Sequence, residues 1–456
     1  MPRSFIRLLI ILFGLLAAAA QADPELPLLG EEAPQMLQKE DRLGRSIYRQ
    51  LADRGLVIED PLLTDYLSGI GNGLLASLDR RLREYRFFLV ANDTVNAFAA
   101  PGGYIGVHLG MIDQLQSESE LAAVLAHEIA HVRLRHGLQM IEKADRISWL
   151  SLLGIANAVL LGSRDPDAAM AAIALTQAGS AQSMINFTRG NEYEADRVGL
   201  KLLQDSEYDP WAMADLMALL QRKERRGELA QIEYLRTHPI NANRLAEVRA
   251  RLPQDRKTLR RDRFSQFRDY LFHLYPLRSV RRSRGRFAQA LGKMEEGRLS
   301  EAGALLEQLI EEDPDSIWYR SAAADNLLRQ HRPREAEAAY RSLLELYPGH
   351  VGISLRLAEV LLAQQRLEEA GRMLERLRHE RNADPGLFSL LIRLYTLQGR
   401  DLDLKLAQAD YHWLKGDREL AVKQYRRLLD AADLPLQERE KIEEKLALEK
   451  AAGKGS

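Results

Sequence analysis

The sequence predicts a mainly α protein in two parts: an α+β domain with a small β-sheet, followed by an α-helical solenoid. Three observations predict it. The pattern His127-Glu128-Ile129-Ala130-His131 sits inside a strongly helical run. Two short apolar stretches, 85–90 and 104–107, lie either side of Pro101-Gly102-Gly103 and read as strands with a turn. From about residue 285 the pattern is purely helical and recurs every 34 residues.

The first 22 residues read as a secretory signal peptide. Arg3 and Arg7 supply the positive start, residues 8–16 a short apolar core, and Ala20-Gln21-Ala22 a cleavage site. The alternative is an uncleaved membrane anchor. Residues 23–40 read as a poorly ordered lead-in and 41–82 as helices. Gly69-Ile70-Gly71-Asn72-Gly73 lacks a preceding strand and so is no dinucleotide fingerprint. Residues 96–99 read as an edge strand, whose free N–H and C=O groups can take up an extended peptide, or as a plain hairpin bordering a cleft.

Ser117, followed three residues later by Glu120, opens the next helix as a capping box. Leu121, Val124, Leu125, Ile129 and Val132 give it an apolar stripe. On this helix His127 and His131 are i and i+4, so both imidazoles reach one metal ion. Glu128 projects from the neighbouring flank, placed to take a proton from a metal-bound water. Zinc held this way lowers the pKa of its water to about 7 and polarises a carbonyl, which peptide hydrolysis requires.

Downstream, residues 147–161 form a stretch too short to span a bilayer and interrupted by Ser148, Ser151 and Asn157; a spanning helix needs about 20 apolar residues. With an Ala-rich helix at 167–181 they are expected to cover the cleft or to touch a membrane surface. A catalytic zinc needs a third protein ligand, and Glu192 in Asn191-Glu192-Tyr193-Glu194-Ala195-Asp196 is the candidate. Asp196, at i+4, shares its face and is assigned to holding a ligand histidine in its tautomer, while Glu194 points elsewhere. The plain alternative is a solvated acidic helix start. His238-Pro239 reads as a helix start with Pro at its first position. His238 is also a candidate oxyanion stabiliser or fourth zinc ligand, and Arg244 a partner of Asp196 or of the reaction intermediate.

Residues 249–286 carry thirteen Lys/Arg against three Asp/Glu, a solvated linker or a contact to an acidic partner or anionic membrane. In the solenoid Ala302, Ala336 and Ala370 recur at 34 residues, as do Leu306, Tyr340 and Leu374, with Pro314 and Pro348 closing units. This is the period of tetratricopeptide repeats (TPR), whose stacked helix pairs build concave surfaces for peptides or proteins. Ala421 and Tyr425 follow Ala370 and Leu374 only after 51 residues, so an irregular helix or unit is expected between them. His379 and His412 are isolated and read as surface or packing residues. The expected divisions are 1–22 signal peptide, 23–252 catalytic domain, 253–284 basic linker or helix and 285–450 repeats. The net charge of −1 in 456 residues gives no support to a whole-chain nucleic-acid role, and the absence of cysteine leaves metal binding to histidine and carboxylate.

The three motifs in order, with Asn96-Ala97-Phe98-Ala99-Ala100-Pro101-Gly102-Gly103 before them, resemble the gluzincin metallopeptidases that include the CAAX prenyl proteases and the bacterial HtpX-type proteases. The likeness covers about residues 40–250. It implies a zincin-type α+β metalloprotease domain with one Zn2+ on His127, His131 and Glu192, and Glu128 as general base. With the export signal and repeats, the chain resembles the periplasmic branch of that family. That implies unfolded or misassembled outer-membrane proteins as substrates, the β-barrel assembly machinery as partner, and peripheral membrane contact at most. The competing reading is a non-catalytic chaperone or scaffold; a prenyl-type intramembrane protease is disfavoured by the missing spans. A regulatory expectation follows from the segment carrying His238: it closes the zinc at rest and leaves when substrate engages.

Overall fold

The computed structural model describes residues 33–76, 78, 84–143, 178–227, 232–259, 262–277, 285–380, 385–430 and 434–453. The signal peptide, and all of the 147–181 region but its last four residues, lie outside them. No helix among the described residues is long and apolar enough to cross a membrane.

The chain begins with α1 (Ala33–Asp53), strand β1 (Val57–Ile58) and α2 (Pro61–Leu75). Helix α1 starts inside the expected lead-in. Further along it, Ile47, Tyr48 and Leu51, on one helix face, pack with Phe88, Val90 and Phe98 on one face of the sheet. Strands β2 (Arg86–Val90), β3 (Ala97–Ala100) and β4 (Tyr104–His108) complete a sheet of order β1-β2-β4-β3. β2 runs parallel to β4, and β3 antiparallel to it with Phe98 opposite Gly106. Phe87, Leu89, Ile105 and Val107 point to the opposite face and join the main core. Both faces are covered, which is why Phe87-Phe88-Leu89-Val90 reads as a continuous apolar run rather than an alternating one. β3 is the edge strand of the sheet among the described residues, as expected. The Pro101–Gly103 turn holds Gly102 at φ 81°, where a Cβ would stand 2.7 Å from the Asp41 Cα, so only glycine fits.

After α3 (Leu109–Gln114) come α4 (Glu118–Arg133), α5 (His136–Lys143), α6 (Ala178–Asp205), α7 (Trp211–Arg225), α8 (Glu233–Thr237) and α9 (Ala242–Ala250). Helix α4 is buried on nearly every side rather than along one stripe. Small residues at 122, 123, 126 and 130 let α2, α6, α7 and β3 close around it.

The basic stretch contains α10 (Phe264–Leu274), whose Phe264, Phe267, Tyr270 and Leu271 are buried. Several of its cations face inward instead of lining a solvated linker. Lys257 Nζ donates to the Gln204 carbonyl at 2.8 Å, and Arg263 pairs with Asp313 at 2.8 Å. The free carbonyls at the end of α6 and the acidic end of a repeat helix supply their partners.

The repeats are paired helices: α11 (Arg286–Glu295) with α12 (Leu299–Glu312), α13 (Ile317–Arg329) with α14 (Pro333–Leu346), α15 (Val351–Ala363) with α16 (Leu367–Glu380), α17 (Pro385–Gln398) with α18 (Asp401–Leu414), and α19 (Arg418–Leu429) with α20 (Leu436–Gly453). Second helices begin at 299, 333, 367 and 401, each 34 residues after the last. The irregular unit expected after Ala370 is therefore absent. Helix α18 keeps the phase without the alanine signature, and Ala421 and Tyr425 lie on α19, the first helix of its pair.

Candidate active site

Helix α4 starts where Ser117 Oγ accepts the Glu120 N–H at 3.2 Å. Glu120 Oε2 accepts the N–H of Gln116 at 2.7 Å, so the reciprocal bond reaches one residue beyond the usual cap. Helix α6 crosses α4 closely: a Cβ on Gly199 would lie 3.1 Å from the Ala126 carbonyl oxygen. The crossing sets Glu192 and Asp196 against His127. Both carboxylates are buried in the middle of a 28-residue helix, not on a solvated helix start.

The third segment differs from expectation. Asn241, not His238, caps α9 by accepting the Arg244 N–H at 2.9 Å, and Pro239 stays outside the helix. His238 instead ends α8, its N–H donating to the Tyr234 carbonyl at 2.8 Å. The Tyr234 N–H donates to the Val95 carbonyl at 3.0 Å, which ties this segment to the approach of β3.

One atom each of His127, His131, Glu192 and His238 lies within 4.8 Å of the other three. His127 Nε2 stands 3.0 Å from His131 Nε2 and 3.3 Å from His238 Nδ1. Glu192 Oε1 stands 3.0 Å from His238 Nδ1 and 3.4 Å from His131 Nε2. A tetrahedral ion with ligands at about 2.0–2.1 Å separates its donor atoms by roughly 3.3 Å, so this spacing suits one metal ion. No donor among the described residues stands at full hydrogen-bond distance from the Glu128 carboxylate, although the side chain is fully buried; His238 Nε2 lies 3.7 Å from Oε1, and the Tyr234 hydroxyl is a neighbour. A buried carboxylate with no donor at full hydrogen-bond distance leaves room for a ligand or water to complete the site.

Asp196 Oδ1 lies 3.1 Å from His127 Nδ1. Arg244 grips Asp196 through two nitrogens at 2.7 and 2.8 Å, reaches Glu192 at 2.9 Å and donates to the Pro239 carbonyl at 2.7 Å. Of the two partners foreseen for Arg244, the structure provides Asp196. Burial opposes charge on His127, but hydrogen bonds with Asp196 and Glu192 outweigh it and push its pKa up to about 10. Burial would raise Glu192, yet His238 and His127 hold it well below the usual carboxylate range. Burial raises Glu128, with His238 and His127 pulling the other way. That direction favours a base poised to take and return a proton.

Two neighbours escaped the sequence reading. The Tyr234 ring centroid is 4.7 Å from that of His238 and 6.4 Å from that of His127. His136 packs on His131 with ring centroids 5.0 Å apart. His136 lies five residues beyond His131, off the i+4 face. Only the left-handed turn at Arg135 (φ 56°) swings it back.

A mostly buried His/His/Glu/His cluster, carried by two crossing helices and the end of α8, fits a metallopeptidase site. Residues 61–252 match the model of peptidase family M48, and residues 327–394 match a tetratricopeptide repeat model. The β-barrel assembly-enhancing protease of Escherichia coli (strain K12) is 33% identical over 426 residues, covering 89% of this chain and 87% of that protein. Its Yersinia pestis counterpart is 31% identical over 444 residues, covering 91% and 90%. The mitochondrial metalloendopeptidase OMA1 of Schizosaccharomyces pombe is 28% identical over 223 residues, covering 48% of this chain and 62% of that protein. The chain belongs to the β-barrel assembly-enhancing protease family of M48 metalloendopeptidases.

Proposed function

We propose that this metalloendopeptidase is zinc-dependent and periplasmic, that it degrades misassembled outer-membrane β-barrel proteins, and that it assists their assembly. The observation that carries the catalytic part is the mostly buried four-residue cluster with the fully buried carboxylate of Glu128 beside it. Substrate class, compartment and partnership with the β-barrel assembly machinery rest on the likeness to the relatives named above, together with the signal-peptide pattern.

In this reading His127, His131 and Glu192 hold the metal. Bound there, zinc acts as a Lewis acid toward the scissile carbonyl and lowers the pKa of its water ligand to about 7. Glu128 accepts the proton of the attacking water and returns it to the leaving amine. Asp196 keeps His127 in the tautomer that turns Nε2 to the metal. Arg244, committed to Asp196, Glu192 and the Pro239 carbonyl, braces the carboxylates rather than meeting the oxyanion. β3 aligns an extended substrate along its free edge, and the repeats recruit substrate or assembly machinery.

The test is proteolysis of an unfolded outer-membrane protein by the purified mature chain, beside Glu128→Gln, with zinc measured on both. Cleavage lost in the variant while one zinc per chain is kept supports the reading. Equal cleavage by both sinks it.

The scaffold reading has one observation in its favour: His238 sits among the ligands, and a metal with four protein ligands is the closed, structural arrangement. The two are reconciled if His238 closes the site at rest and departs when substrate engages. His238→Ala is then expected to raise basal proteolysis several-fold, read as the rate of casein cleavage. Abolished cleavage with zinc retained makes His238 an oxyanion stabiliser instead. If Glu128→Gln supports outer-membrane protein assembly as well as the wild type, the scaffold role dominates.

A further inference from the structure

The two helix-borne histidines of the cluster are braced in different ways. Both turn Nε2 inward and leave Nδ1 outward. His127 Nδ1 meets the carboxylate of Asp196 directly. His131 Nδ1 meets no carboxylate. It lies 3.0 Å from Nδ1 of His136, whose Nε2 lies 3.5 Å from Oε2 of Glu194.

Hydrogen-bond logic orders the protons along this line. A neutral His131 that offers Nε2 to a metal must carry its proton on Nδ1. It donates that proton to His136 Nδ1, which is therefore the unprotonated nitrogen. The His136 proton then sits on Nε2 and points at Glu194, an acceptor. With His131 Nδ1 protonated, a proton on His136 Nδ1 would set two N–H groups against each other at 3.0 Å; the swapped bond, His136 Nδ1–H to a bare His131 Nδ1, would leave the His131 proton on Nε2 and block the metal. The backbone holds His136 in place. Arg135 adopts a left-handed conformation at the α4–α5 junction, and its guanidinium donates to the buried Glu40 at 2.7 Å. The His136 side chain is 4% exposed while that of Glu194 is 54% exposed, so the line runs from the metal cluster to the surface.

We propose that His136 is a positioning residue that holds His131 in its metal-binding tautomer, and that Glu194 in turn orients His136. Helix α6 then supplies three carboxylates with three tasks: Glu192 to the metal, Asp196 to His127 and Glu194, through His136, to His131. This rests on the metal-site reading given above.

The test uses zinc alone as the probe and the mature chain in competition with a chromogenic chelator. His136→Phe keeps the ring but has no acceptor; a 10- to 100-fold weaker zinc Kd is expected, the usual cost of losing such a partner. His136→Gln offers a carbonyl oxygen to His131 Nδ1–H and should recover most of that loss. Glu194→Ala should cost a few-fold. The melting temperature of the metal-free protein should be the same in all four. A second measurement needs no variant: 15N spectra of histidine-labelled, zinc-loaded wild type should show His136 protonated on Nε2 and bare on Nδ1. An unchanged Kd in His136→Phe, a metal-free melting temperature that falls with the Kd, or a proton on His136 Nδ1 would overturn the proposal. A wild type that binds no zinc would instead sink the metal-site reading.

Discussion

Glu118, the first residue of the metal helix, is half-buried and carries a strongly raised pKa. Burial pushes its pKa up to about 7; the hydroxyl of Tyr66, donating at 2.7 Å, opposes this only partly, and Asp262 adds to the rise. A carboxyl raised in the folded state binds its proton more tightly there than in the unfolded chain. Its contribution is fully present below about pH 4.5 and is lost as the pH rises through about 7. For a partly buried group the loss is worth about 1–2 kcal/mol after solvent screening. Glu118→Gln keeps an acceptor for Tyr66 and cannot ionise. Between pH 5 and pH 8 the wild type should lose that much more stability in urea than the variant does. Parallel pH profiles for the two would show that Glu118 ionises freely.

At the scale of elements, the solenoid repeats its turns as faithfully as its helices. Gly297, His331, Gln365 and Gly399 stand 34 residues apart, and all four take positive φ, from 58° to 76°. Each is followed by an arginine, Arg298, Arg332, Arg366 or Arg400, that pairs with an acid three residues on. Half of these turns carry glycine and half carry a residue that resists the left-handed region by roughly 1–2 kcal/mol. Gln365 is exposed, so little else depends on its side chain. Gln365→Gly should stabilise the protein by about 0.5–1 kcal/mol, seen as a higher urea midpoint, and Gly297→Ala should do the reverse. A lower midpoint for Gln365→Gly would mean that the side chain supports the turn. The same period was open to inspection in the sequence, but His331 and Gln365 hide it because nothing in their type announces a left-handed turn.

Across the whole molecule, α2 joins the catalytic and repeat halves. Asp60 caps α2 by accepting the N–H of Leu62 at 3.0 Å and of Leu63 at 3.1 Å, and it also pairs with Arg356 of α15. Tyr66 stacks on Phe267 of α10 and meets Trp318 of α13 edge-on. Gly352 brings α15 against the α2 backbone, where a Cβ would stand 2.8 Å from the Leu62 Cα. At the far end Arg86 of β2 donates to the Leu414 carbonyl at 2.7 Å, and Arg49 of α1 pairs with Asp417 at 3.1 Å. The catalytic core and the first repeats share one hydrophobic cluster, so heat should unfold them together. Gly352→Leu forces α15 off α2, at a cost of about 1–3 kcal/mol. It should split the calorimetric transition and raise hydrogen exchange in α2 and α15. One unsplit transition at the wild-type temperature would show that the repeats hold on elsewhere.

The sequence by itself determined what depends on local spacing. His127 and His131 share a helix face because they are four residues apart, Glu192 and Asp196 do so for the same reason, and the 34-residue period defines the helix pairs. The strands were legible because both sheet faces are covered, which makes them uniformly apolar. Tertiary structure alone decided which of these faces meet. The close crossing at Gly199 joins the two helices, and Asn241 rather than His238-Pro239 starts α9. The Tyr234–Val95 bond places His238 at the cluster, and the turn at Arg135 returns His136 to His131. None of these leaves a local signature, since each depends on where a distant backbone lies. The inward turn of the basic segment is of the same kind: charge counts give the number of cations, and only the fold brings the carbonyls and carboxylates that receive them.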